Sequence, residues 1–109
     1  MGGSLTPLRP YLPAYPRGVY DSLSGVLLEA LAQAQTGKGF KRHANGRPFE
    51  NQPMLEISRQ LGSNHFCLGQ AMKKIQESTR MDPADAEHEL KGAICYLGGA
   101  ILRLREEDE

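Results

Sequence analysis

Residues 82–106, DPADAEHELKGAICYLGGAILRLRE, decide how this chain folds. Asp82 precedes a proline, which pushes it out of helical angles, so any earlier helix must stop there. The same Asp82 can cap a new helix, Pro83 suits its first position, and Asp85 places negative charge at its amide end. Beyond this start Leu90, Ile94, Leu97, Ile101 and Leu104 alternate at spacings of four and three, the seam of a helix packed nearly antiparallel on a partner. Beside the seam lie Gly92, Cys95 and Gly99, adjoined by Ala93, Gly98 and Ala100. Each interior glycine costs a helix roughly 1 kcal/mol against alanine. Something must therefore pack close to this backbone: a crossing helix of the same chain, or a second subunit.

Working outward, Ser63 or Asn64 caps a preceding helix over about 64–81, with Leu68, Met72 and Ile75 on its stripe and Ala71 widening it. It forms a C-terminal helical hairpin with the helix over about 83–106. A short helix over 53–61 starts on Pro53, turns Met54, Ile57 and Leu61 to one side, and ends at Gly62. The first helix covers about 21–35. Asp21 caps it, Leu23, Val26, Leu27, Ala30, Leu31 and Ala34 make one stripe, and Thr36-Gly37-Lys38-Gly39 stops it. Residues 36–52 have no periodicity and read as a loop. The first 20 residues form an arm in which Pro7, Pro10, Pro13 and Pro16 recur every third residue, the polyproline II repeat. Leu5, Leu8 and Tyr11 share one edge of that arm; Arg9, Leu12 and Tyr15 share another. Its apolar content suits a strap over its own helical core or a reach onto a neighbouring subunit. The expected fold is all-α: a small helical bundle built on a C-terminal hairpin, one domain over 21–109, with an extended proline-rich N-terminal arm.

A chain of 109 residues supports one core, and 39% hydrophobic with 24% charged residues is ordinary for a globular protein. Thirteen basic and thirteen acidic side chains cancel, which argues against a bulk electrostatic grip on nucleic acid. Cys67 and Cys95 both fall in helices among apolar neighbours, where buried free thiols in a reducing compartment are the economical reading. No apolar run reads as a leader or membrane span, so a cytoplasmic location is expected.

The loop TGKGFKRHANGR (36–47) is the leading ligand site. Its glycines expose amides, Lys38, Lys41, Arg42 and Arg47 supply charged donors for phosphate, His43 adds a donor, and Phe40 offers a stacking surface. Tyr11 and Tyr15 of a neighbouring arm would close over the ligand. The loop lacks the Gly-Lys-Ser/Thr ending of a P-loop. Its bland counterpart is a solvated basic loop, or one that docks on an acidic partner. Ser63, Asn64 and His65 mark a second, weaker anion site at a helix start. Asp85, His88 and Glu89 have metal-like spacing, but first-turn charge explains them more cheaply, so no metal or cofactor is assigned. No nucleophile has a partnered base, and an enzyme is not expected.

Two segments, Phe66-Cys67-Leu68-Gly69-Gln70-Ala71-Met72-Lys73-Lys74-Ile75 and Glu89-Leu90-Lys91-Gly92-Ala93-Ile94-Cys95-Tyr96-Leu97, carry a resemblance across residues 53–104. They resemble small helical phage domains, including the SaV-like family of unknown function. The resemblance implies a phage or mobile-element protein and brings no activity with it. By analogy of size and class, it adds the expectation of an anti-defence role, the sequestering of a signalling nucleotide in an oligomer. The leading functional expectation is therefore a non-enzymatic oligomeric protein for a phosphorylated or nucleotide ligand. Self-association is expected through the Gly92, Cys95, Gly99 face or the arm. The alternatives are an inhibitor or adaptor of a host protein and a metal-dependent nucleotide hydrolase.

Overall fold

The Asp82 carboxylate accepts a hydrogen bond from the Asp85 amide at 3.1 Å, the cap expected of it. The long C-terminal helix starts on the next residue. The computed structural model describes residues 18–36 and 46–107; the arm and most of the basic loop, with the readings placed on them, lie outside the described residues. Among the described residues there are four α-helices and no strand: α1 Asp21–Thr36, α2 Pro53–Leu61, α3 His65–Ser78 and α4 Pro83–Glu107. A single 3-10 turn, Phe49–Asn51, leads into α2.

Local chemistry explains the boundaries. Gly62 takes φ +77° after α2, and the amides of Gly62 and Ser63 bond back to the carbonyls of Arg59 and Ser58. The third helix ends three residues earlier than its pattern suggests. Ser78 Oγ and Thr79 Oγ1 donate to the carbonyls of Ile75 and Gln76 at 2.7 Å, offering the backbone a turn in place of another helical step.

Helix α4 is the common wall of the molecule. It returns along α3, with Gly92 beside the Lys74 side chain and Gly99 beside Cys67. Helix α1 packs on the stretch 88–95. Lys91 Nζ pairs with Glu29 at 2.9 Å, Gln33 Nε2 donates to the His88 carbonyl at 3.0 Å, and Cys95 Sγ donates to the Ala30 carbonyl at 3.5 Å. Helix α2 fills the remaining corner through Leu55 and Ser58, both wholly buried.

The core is made of small residues. Among the described residues Ala30, Cys67, Ala71, Ala93 and Ala100 are buried, and Leu55 is the one large aliphatic side chain that is fully buried. This reverses the expected packing. The seam meant for the hairpin contact is open: Leu90 and Leu97 are each 42% exposed, Ile101 50% and Leu104 49%. On α3 the expected stripe is likewise turned outward at Met72 and Ile75, while Cys67 and Ala71 face inward. Helix α2 follows suit, burying Leu55 and Ser58 and leaving Leu61 exposed. The physical reason is distance. Alanine, glycine and cysteine let helix backbones approach closely, and close approach leaves no room between the axes for leucine knobs.

Candidate functional site

Two features of the surface have no partner among the described residues, and neither is the site read from the sequence. The first is the outer side of α3 and α4. At about 100° per residue, Leu90, Leu97, Ile101 and Leu104 fall within a narrow arc of α4, about 120° from the line that meets α3. Met72, with Leu68 and Ile75 toward the contact, lies at a matching angle on α3. Because the helices are antiparallel, both arcs turn to the same side, with buried Ala93 and Ala100 beneath them. Helices α1 and α2 cover the opposite side.

The second is a cleft of about 430 Å³ between α1 and α4. Leu27, Ala30, Leu31 and Ala34 form one wall, and Ile94, Cys95 and Gly98 the other. Phe49 closes an end, with Gln35, Arg47 and Gln52 at the polar rim. Burial raises the Cys95 thiol pKa, with Lys74 opposing, so the group stays a neutral thiol near pH 7.

Of the residues expected to hold a ligand, Arg47 alone is described. Its Nη1 donates to Glu56 Oε2 at 2.9 Å, and its carbonyl accepts from Gln52 Nε2 at 2.9 Å. The guanidinium thus ties the loop's exit to α2, beside an apolar cleft. Lys38, Phe40, Lys41, Arg42 and His43, with Tyr11 and Tyr15, lie outside the described residues.

The expected association face requires correction. A Cβ on Gly99 would stand 2.6 Å from Met54 Sδ and 3.2 Å from Cys67 Sγ, and one on Gly92 would stand 3.1 Å from Lys74 Cδ. Cys95 bonds to α1. Gly92 and Gly99 are therefore spent inside the subunit, while Cys95 is turned to α1 at the wall of the cleft, so the three positions do not form one open face. The close approach inferred from the glycines is real, but its partners are α2, α3 and α1.

The remaining candidates have structural employment. Ser63 Oγ accepts from the His65 amide at 3.2 Å, a local cap. Glu89 pairs with Lys74 at 3.5 Å, Asp85 belongs to the α4 cap, and no group of three metal-ligating side chains occurs among the described residues. Cys67 and Cys95 are both free thiols; Cys67 lies against Ser58 and Gly99, and Cys95 against Ala30.

Elsewhere the charge is used to lock helices. Arg59 Nη2 meets Glu106 Oε2 at 2.7 Å and the Glu50 carbonyl at 2.6 Å, tying α2 and the 3-10 turn to the end of α4. The hydrogen bond from Arg59 lowers the Glu106 pKa, and the same bond raises that of Arg59. Burial raises the Tyr96 pKa, and its ring meets Phe66 edge-on at 6.4 Å.

No described helix is long and apolar enough to cross a membrane. Comparison with known proteins found no matching family model, no matching curated sequence and no matching solved structure.

Proposed function

We propose that this chain is a non-enzymatic, self-associating helical protein whose working unit is a homodimer built on the C-terminal hairpin α3–α4. The observation that supports this is the open apolar side of the pair. Met72, Ile75, Leu90, Leu97, Ile101 and Leu104 are 42 to 69% exposed. Together they leave on the order of 600 Å² in contact with water, the upper end of what a monomer's largest patch carries. That is close to the roughly 800 Å² per partner buried in a stable protein interface.

The arrangement favours a second copy over an unrelated partner. Leu90 and Leu104 each lie seven residues from Leu97, so these three seam positions match themselves when one copy is turned end for end about Leu97. That is the requirement of a two-fold, isologous contact. In the same register Glu87 falls two residues, about 3 Å of helix rise, from the position opposite Arg105 of the second copy. Two α3–α4 pairs then complete a four-helix bundle, with α1 and α2 on its outer surface.

Light scattering coupled to size exclusion tests this reading: the expected mass is twice the 12.0 kDa of one chain. Substituting Leu97→Glu puts two carboxylates together at the two-fold axis and is expected to yield monomer with unchanged helicity. A monomeric wild-type chain at ~100 μM, where even a 10 μM dissociation constant would leave mostly dimer, removes the proposal.

The nucleotide reading of the basic loop is a separate proposal, supported by the Lys38, Lys41, Arg42 cluster in the sequence. Its test is calorimetry against cyclic and linear nucleotides. Binding weaker than ~100 μM to all of them, about −5.5 kcal/mol, removes it.

A further inference from the structure

The cleft between α1 and α4 is formed within one subunit, and its walls have a definite chemistry. Leu27, Leu31 and Ala34 of α1 stand across it from Ile94, Cys95 and Gly98 of α4. Its volume, about 430 Å³, falls in the range of sites that enclose a small molecule. At the packing density of a protein interior, that space takes roughly 15 non-hydrogen atoms. Leu27 and Leu31 are 48% and 51% exposed, so an occupant takes further apolar surface out of water.

Charge narrows the class of occupant. Arg47 is the one ionised side chain among the described lining residues, and its Nη1 meets Glu56 Oε2 at 2.9 Å. That carboxylate balances the guanidinium, and an anionic ligand would have to compete with it. Cys95 adds no charge, because burial keeps its thiol neutral near pH 7.

The supply of hydrogen bonds narrows it again. The walls are helix, whose backbone groups are used along the helix itself. Besides Arg47 and Cys95, the polar side chains described there are Gln35 and Gln52 at the rim, and Gln52 Nε2 donates to the Arg47 carbonyl. An extended peptide brings an N–H and a C=O with every residue and would bury them unmet. A hydrocarbon skeleton with one polar group at the rim would not, since a glutamine amide both donates and accepts.

Gly98 keeps the space open. Glycine weakens a helix interior, and Gly92 and Gly99 answer that cost with close neighbours. A Cβ on Gly98 would meet no described atom within 4 Å, and the space a longer side chain there would enter is the cleft.

We infer that the α1–α4 cleft binds a small, neutral, largely hydrocarbon molecule, aromatic or branched aliphatic, with one hydrogen-bonding group directed to the rim. The site lies within each subunit and is independent of the dimer face.

The probe is N-phenylnaphthylamine, a neutral aromatic amine whose fluorescence rises in apolar surroundings. Titrated with the full chain, it is expected to bind with a dissociation constant of ~50 μM or tighter. Gly98→Leu and Ala34→Phe fill the cleft from opposite walls. The first has room for its side chain and gains helix propensity, so it should melt no lower than wild type. Each is expected to weaken binding at least about tenfold. Leu28→Ala, at an exposed apolar position of α1 outside the cleft, should leave binding unchanged.

Naphthol should displace the probe and slow alkylation of Cys95 by N-ethylmaleimide, read by peptide mass; Cys67 is wholly buried and stays silent. Naphthoate, its anionic counterpart, should displace at least about tenfold more weakly. The losses must recur in the Leu97→Glu background, which separates this inference from the dimer. No fluorescence rise with the chain at ~100 μM overturns the inference. So does binding that survives both cleft-filling variants, which would put the probe on an exposed apolar face. Equal displacement by naphthol and naphthoate overturns it as well.

Discussion

A methyl group on Gly99 would stand 2.6 Å from Sδ of Met54, closer than real side-chain atoms come. Cys67 Sγ at 3.2 Å and Leu55 Cδ2 at 3.3 Å close the other directions, and both of those residues are wholly buried. The glycine is therefore a contact surface for two helices at once, and the seam on the far side of α4 is left for something else.

Gly99→Ala should destabilise the chain by about 1–3 kcal/mol, because the overpacking cost exceeds the helix-propensity gain of roughly 1 kcal/mol. Gly25→Ala, also mid-helix but with nothing within 4 Å, should instead stabilise it by about 0.5–1 kcal/mol. Urea titrations of the two variants, read by circular dichroism, check the opposite signs.

Leu55→Ala removes the largest wholly buried side chain among the described residues and should cost about 2–5 kcal/mol. Met72→Ala, at a position 69% exposed, should change the stability of the dissociated chain by no more than about 0.5 kcal/mol. Thermal melts at a dilution where the chain is monomeric separate the two. A comparable loss in both would mean that the seam is part of the internal core.

The Arg59–Glu106 pair predicts an acid limb. The Glu106 pKa is lowered, so its contribution is fully present above the ordinary carboxylate value of 4.5 and is lost as pH falls below that value through the folded-state pKa. Both side chains are about a third exposed, at 37% and 35%, so the effect is modest and weakens with salt. Denaturation midpoints of wild type and Glu106→Gln should converge as pH drops from 6 toward 3. Parallel curves would contradict the assignment.

Much of this fold is legible in the sequence. Asp82-Pro83, Gly62 and Pro53 fix helix ends through dihedral preference and capping, which are local properties. The orientation of the helices is less legible, because α4 presents two plausible packing faces. Its leucines follow a seam and its glycines follow a close crossing; spacing alone does not say which is internal. The choice is settled by neighbours far along the chain, Met54 and Cys67 against Gly99 and Ala30 against Cys95. The expected site fared differently. Its basic side chains lie mainly outside the described residues, and Arg47 is engaged by Glu56, a pairing nine residues away with no motif to announce it. The open side could have been anticipated from the excess of large apolar positions on α3 and α4 over what one hairpin buries.

Whether the α3–α4 seam meets a second copy decides the function proposed for the chain. The most direct measurement is the solution mass of wild type and Leu97→Glu across ~1–100 μM, with circular dichroism on the same samples. A wild-type mass moving toward twice 12.0 kDa, with Leu97→Glu at 12.0 kDa and equally helical, is the predicted result. Like charges at the centre of such an interface cost several kcal/mol, so association should weaken by at least about a hundredfold. A wild type that stays at 12.0 kDa throughout, or a Leu97→Glu chain that remains a dimer, would contradict it.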